Sequence, residues 1–409
     1  GGMRIYGNRK KDRHRYQLRE SWRPKEPIVH ADDAAVTRVV SDMPLIGETV
    51  WSGRVVVDGV VRVPPGSRLV ILPGTLVEFT RRDTNGDGIG ESGLSLQGVL
   101  IAKGSKAAPI RFRSAAAVRR PGDWDAINIF NSDGRQNLVE HCSFEDAYRG
   151  LHFHFSNVVV QDSRFHGNYR GLQFQESNAT IRRSEITGNR SGIQGRDSWL
   201  ELENNRIVGN GRGMNLLRVA LTAAGNALEA NRMQALRQRE GSVSFVRNHV
   251  FHNGSGVSLN GIDRGSLSEN VMTGNGEAGV SIRGSDNLVV SGNYLSANGV
   301  SGLDVRDSRL SVDGNHLSFN GERGLGLRGL QGTVSANSFV GNGAWAIDLE
   351  DAADVAAAGN WWGDQSPAQA ICDREDDPAR GRVEVGQPLD VAPTFRWPRG
   401  RVEGETRWR

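Results

Sequence analysis

The sequence predicts an all-β chain wound as a right-handed parallel β-helix, and three observations in it lead there. A Gly-led phrase returns every 21 to 23 residues, two asparagine registers recur in step with it, and no stretch of useful length has helical periodicity. The phrase reads GLHFHFSN, GLQFQESN and GIQGRDSW early on, then GVSLNGID, GVSIRGSD and GLDVRDSR, with its Gly at 150, 171, 192, 213, 256, 279, 302 and 324. Ala235 and Ala346 fill the same slot. One asparagine register runs from Asn168 to Asn342, the other from Asn205 to Asn360, with Ser163 and Ser184 preceding the second. Within each period, short pieces alternate apolar and polar residues between Gly/Asn turns, the pattern of strands with one buried face. Inward pairs such as Leu151/Phe153, Leu172/Phe174, Val280/Ile282 and Leu303/Val305 let like strands stack in parallel, coil upon coil. Asparagine tolerates left-handed backbone, so the registers are expected at corners, with amides laddered between coils. At ~4.8 Å per coil, about fourteen coils over 44–365 make a rod of roughly 65 Å.

Composition excludes other architectures. The 409 residues contain no apolar run near the ~18 residues that cross a bilayer as a helix. Cys142 and Cys372 stand at opposite ends of the repeats, so they read as two free buried thiols rather than a disulfide framework or a metal cluster. The net charge of +3 conceals basic ends totalling +9 and a middle of −6. Residues 1–43 are expected to form a basic arm and cap, and 366–409 a C-terminal cap and basic tail. Arg9, Lys10, Lys11, Arg13, Arg15, Arg19 and Arg23, with Tyr6, Tyr16 and Trp22 among them, suit an acidic partner. A polysaccharide or cell-surface protein is the expected partner, homo- or hetero-assembly is compatible with the arms, and nucleic acid is not expected. The acidic run from Cys372 to Pro378 follows the last coil and reads as a capping loop.

The recurring GxxGNxxGhxhxxS phrase resembles the bacterial right-handed β-helix repeats of the pectin-lyase-like superfamily, in the carbohydrate-binding and sugar-hydrolase subgroup. The resemblance covers about 45–395. It includes the lead-in VVRVPPGSRLVILPGTLVEF and the closing Gly359-Asn360-Trp361-Trp362-Gly363-Asp364. It implies fold strongly and function weakly, because lyases, hydrolases, epimerases, periplasmic accessory proteins and adhesive proteins share it. It also implies an extracytoplasmic location: periplasm, outer surface or secretion.

Four groups of residues carry candidate chemistry. Asp83, Asn85, Asp87 and Glu91 place hard oxygens at alternate positions around Gly86 and Gly88, like the first part of an EF-hand-type loop, which makes a structural Ca2+ the expected cofactor. Leu94 stands where the bidentate acid of such a loop would be. The outward face of the Gly-led strand offers two columns of amide, hydroxyl and guanidinium groups, including Gln173, Gln175, Arg283, Arg306 and Arg328, that suit an extended glycan. His152 and His154 project the same way and could share a metal, as in the copper-handling maturation proteins of the superfamily. Asp304 and Asp348, two coils apart across Gly326, are the best catalytic pair, at ~9.6 Å near the upper end of the inverting-glycosidase range. Their arginine neighbours and the lack of an aromatic platform beside them favour ion pairing. The leading reading is a non-catalytic rod that binds polysaccharide or protein. A hydrolase or lyase using Asp304/Asp348 and a metal-delivery protein using His152/His154 are the alternatives.

Overall fold

The computed structural model describes residues 35–132 and 134–395. Parallel strands wind into a solenoid of about 15 turns with almost no helix. A complete coil has three strands, as in Ala147–His154, Asn157–Gln161 and Arg164–His166. The third strands stack into a 14-stranded sheet that starts at Arg38–Ser41 and reaches Ser338–Val340. First and second strands run together in coils such as Ser191–Glu203. At the far end Ile371–Cys372 pairs with the strand Trp345–Leu349, and Val383–Glu384 pairs with Val355–Ala356. The basic arm residues Arg9 to Arg23 and the Arg-rich tail after 395 lie outside the described residues.

Alternation explains why these segments are strands. Leu151, Leu172, Ile193 and Met214 stand in register on successive coils and are fully buried, while the next residue on each strand, His152, Gln173, Gln194 and Asn215, points to the opposite face. Coil spacing lets like aromatic rings stack inside. Phe112, Phe144 and Phe165 form a column with centroids 4.8 and 4.5 Å apart. Cys142 and Cys372 are both free and buried.

The asparagine ladders are present, and their placement corrects the expected corner chemistry. Asn168 Nδ2 donates to Asn189 Oδ1 at 3.0 Å, and Asn189 repeats the bond to Asn210 at 3.0 Å. Asn205, Asn226, Asn248 and Asn270 continue the second ladder at 2.9, 2.9 and 3.2 Å. None of these asparagines has a left-handed backbone. The residue before each one does, as at Gly167 (φ 64°), Gly188 (φ 61°) and Asn204 (φ 55°). The ladder residue must aim its amide into the core, so the turn is made one position earlier, where the side chain or bare Cα faces water. A third left-handed corner joins first to second strands, at Phe155, Glu176, Asp197 and Arg218.

The run from Cys372 to Pro378 is bonded as a turn. Asp373 accepts the backbone N–H of Val383 at 2.8 Å and of Glu375 at 2.9 Å.

Candidate functional site

Strand register puts the predicted outward columns on the surface as continuous rows. Asn128 pairs with His152, then Gln173, Gln194, Asn215, Arg237, Ser258, Ser281, Asp304, Gly326 and Asp348. The second column runs in parallel from Phe130 through His154, Gln175 and Arg196 to Asn260, Arg283, Arg306 and Arg328. The two ends of this face differ in chemistry.

The early coils hold a histidine pair. His152 Nε2 and His154 Nε2 are 2.8 Å apart, and His152 Nδ1 lies 2.7 Å from Asn128 Oδ1. With the asparagine oxygen as acceptor, His152 carries its proton on Nδ1 and accepts at Nε2 from His154. Phe130 packs against both rings. Burial, then the nearby Arg149 guanidinium, pushes His154 down to about 4, so above that pH its imidazole is neutral. Arg149 pairs with Asp125 at 3.2 Å, and Arg170 donates to Gln173 Oε1 at 2.5 Å. These two arginines lie in a third column, three residues before His152 and Gln173, that reading the Gly-led phrase alone does not reveal. Gln175 stands half-exposed beside His154.

The later coils carry arginine. Arg283, Arg306 and Arg328 occupy one column on three successive coils, and Arg239 begins the same column two coils earlier, beyond Asn260. Arg239, Arg283 and Arg328 are exposed and make no side-chain hydrogen bond or ion pair with any described residue. Among the described residues Arg306 reaches only Asp304, at 3.4 Å. Asp304 and Asp348 stand two coils apart in register across Gly326, as spacing predicts, but Arg323 fills the space between them. It lies 3.6 Å from Asp304, 2.6 Å from Asp348 and 2.5 Å from Glu350. Arg380 adds a second contact to Asp348 at 2.6 Å. Burial alone would lower the Arg323 pKa, but hydrogen bonds to Asp348 and Glu350 raise it on balance. Two carboxylates so compensated are poor candidates for an acid/base pair, which needs one of them protonated.

The loop Asp83–Glu91 is organised around its own acids. Asp83 accepts the backbone N–H groups of Asp87 at 3.1 Å and Gly88 at 3.0 Å, and Asp87 accepts that of Ile89 at 2.9 Å. Thr84 and Asn85 both donate to the Glu91 carboxylate, at 2.5 and 2.6 Å. Among the described residues, the one group of three acids, histidines or cysteines with a donor atom each within 4.8 Å is Glu140, His141 and Asp162. There Arg183 already holds both Asp162 oxygens, at 2.8 and 2.7 Å.

With this geometry in hand, two protein families match parts of the chain. The first, described as a right handed beta helix region, matches residues 220–361. The chain is a right-handed parallel β-helix protein. The second, described as periplasmic copper-binding protein (NosD), matches residues 113–243, a span that includes His152 and His154. No curated protein matches. Solved structures are similar to the chain at low identity and low TM-score. The periplasmic alginate epimerase AlgG is 14% identical over 84% of this chain and 78% of its own, with a TM-score of 0.38. The AlgE6 A-module, a mannuronan C-5 epimerase of Azotobacter vinelandii, is 16% identical over 83% of this chain and 91% of its own, at 0.40. The catalytic domain of a GH87 α-1,3-glucanase is 11% identical over 89% and 70%, at 0.37. At such scores these three say nothing about the chemistry of this β-helix protein. Among its described residues no helix is long and apolar enough to cross a membrane.

Proposed function

We propose that this β-helix protein is a non-catalytic rod that works outside the cytoplasm and holds an extended acidic polysaccharide along its outward face. The arginine column carries the proposal. Like charges repeated at ~4.8 Å repel one another, and a chain bearing one carboxylate or sulfate per sugar would relieve that repulsion. Asn260 within the column and Asn215, Ser258 and Ser281 in the adjoining row offer donors and acceptors to sugar hydroxyls. The partial match to a family described as periplasmic supports the location. The test is affinity electrophoresis and calorimetry with an acidic polysaccharide such as a polyuronate. The variant R283A/R306A/R328A should bind roughly 10- to 100-fold more weakly than wild type, since each exposed charge pair contributes about 0.5–1 kcal/mol. Equal affinities, or detectable cleavage of the polymer by wild type that is lost in D304N and D348N, would contradict the reading.

A metal-binding reading is favoured by one observation, the facing Nε2 atoms of His152 and His154 inside the segment that matches a copper-binding family. Imidazole suits copper, and His154 is neutral above about pH 4, so protons do not compete near neutrality. Two nitrogens on one tetrahedral ion at about 2.0–2.1 Å stand roughly 3.3 Å apart, so the rings would open by about half an ångström to admit it. We propose as well that Asp83, Asn85, Asp87 and Glu91 hold Ca2+, since all four supply hard oxygen and the backbone is already turned by Asp83. Glu91 would have to leave Thr84 and Asn85 to join. One set of thermal melts tests both ions. Millimolar calcium should raise the Tm of wild type but not of D83N/D87N, and Cu(I) should raise it in wild type but not in H152A/H154A. An ion that leaves the wild-type Tm unchanged is not bound at its site.

A further inference from the structure

A second recognition feature lies on another edge of the coil. Where first strands turn into second strands, four successive coils enclose an open groove of about 460 Å³. Its floor is the buried serine ladder, in which Ser177 Oγ accepts the Ser156 N–H at 3.2 Å and Ser198 Oγ accepts that of Ser177 at 3.1 Å. One wall consists of the left-handed corner residues Phe155, Glu176 and Asp197. The other consists of Asn157, Asn178 and Trp199, which stand in register at the start of three second strands.

Two features of this groove point to a ligand. Trp199 is 72% exposed and Phe155 40%, so a polar cleft carries two open aromatic faces on opposite walls, offset along the axis by two coils, a rise of roughly 9.6 Å. The amides between them are fixed but not used up. Asn178 Nδ2 donates to Asn157 Oδ1 at 2.7 Å and Asn157 Nδ2 donates to the Gly134 carbonyl at 3.0 Å, which leaves each amide a second N–H and Asn178 its oxygen. Asp197 is held ionised chiefly by Arg218, with Arg196 also on it. Glu176 finds no partner among the described residues, so the wall it forms presents a negative charge.

We infer that this groove binds one or two pyranose rings of a neutral oligosaccharide, stacked on Trp199. A pyranose has an apolar C–H face and a rim of hydroxyls. The indole accepts the first while the amides and the Glu176 carboxylate bond the second. A lipid or an aliphatic peptide would cover those amides without satisfying them, and an acidic sugar would face Glu176. The groove volume suits a small saccharide rather than a long polymer. This site is separate from the arginine column in both position and sugar charge, so the failure of either leaves the other standing.

The test is calorimetry of the full chain against neutral pentasaccharides of the cello-, manno-, malto- and chito- series. At least one series should bind saturably. W199A should weaken it roughly tenfold or more, W199F only a few-fold, and R283A/R306A/R328A not at all. Trp199 is exposed, so melting of W199A should match wild type; should it not, N178A, on the same wall, should weaken the same ligand. The inference is overturned if no series binds wild type, or if W199A binds as tightly as wild type.

Discussion

Replacement of Arg323 by Met is expected to destabilise the last coils by about 3–5 kcal/mol, the scale for removing one partner of a largely buried charge cluster. Arg323 is 13% exposed, and its guanidinium serves Asp304, Asp348 and Glu350, which are 17, 15 and 28% exposed. Without it, three carboxylates from two coils face one another with only Arg306 and Arg380 left among the described cations. The expected result is a separate early transition in urea and new proteolytic cuts beyond residue 320, with the earlier coils intact, because each coil of a solenoid depends mainly on its neighbours. A loss below about 1 kcal/mol, the worth of ordinary surface pairs, would mean that these contacts are not compensating buried charge.

The asparagine ladder should show an effect of similar size. Asn270 accepts the Asn248 backbone N–H at 2.8 Å and donates to the Phe245 carbonyl at 2.8 Å and to Asn293 Oδ1 at 2.9 Å, all buried. Asn270→Ala strands a buried N–H and a buried carbonyl at about 1–3 kcal/mol each, so a loss of about 3 kcal/mol or more is expected in denaturant melts. Asn270→Ser should cost roughly half as much. The protein itself makes that replacement at Ser184, whose Oγ accepts the Ser163 N–H at 3.1 Å in the same register. If serine proves as harmful as alanine, the stability resides in amide shape rather than in satisfying the backbone.

What could be read from the sequence was whatever repeats. Period, inward pairs and outward columns follow from a 21–23 residue spacing, and strand register from Asn128 to Asp348 agrees with them. Interactions that leave the column were hidden. Arg323 sits three residues before Gly326 and reaches Asp348 one coil on, a direction that spacing does not encode. Arg328, which spacing places beside Asp348, has no described acidic partner. Trp199 escaped for a related reason: it closes the phrase GIQGRDSW past the corner at Asp197, outside the two outward columns read from that phrase. The corner error at the asparagines came from treating a tolerated conformation as the one used, when the inward amide required extended backbone at that residue.

The most direct test of the central claim is the affinity of wild type for acidic oligosaccharides of increasing length, measured at low and moderate salt. If the polymer lies along the column, affinity should rise with length until the oligomer spans the four coil rises from Arg239 to Arg328, roughly 19 Å, and then level off. The length effect should shrink as salt is added. Affinity that is independent of length, or a length effect unchanged in R283A/R306A/R328A, would contradict it.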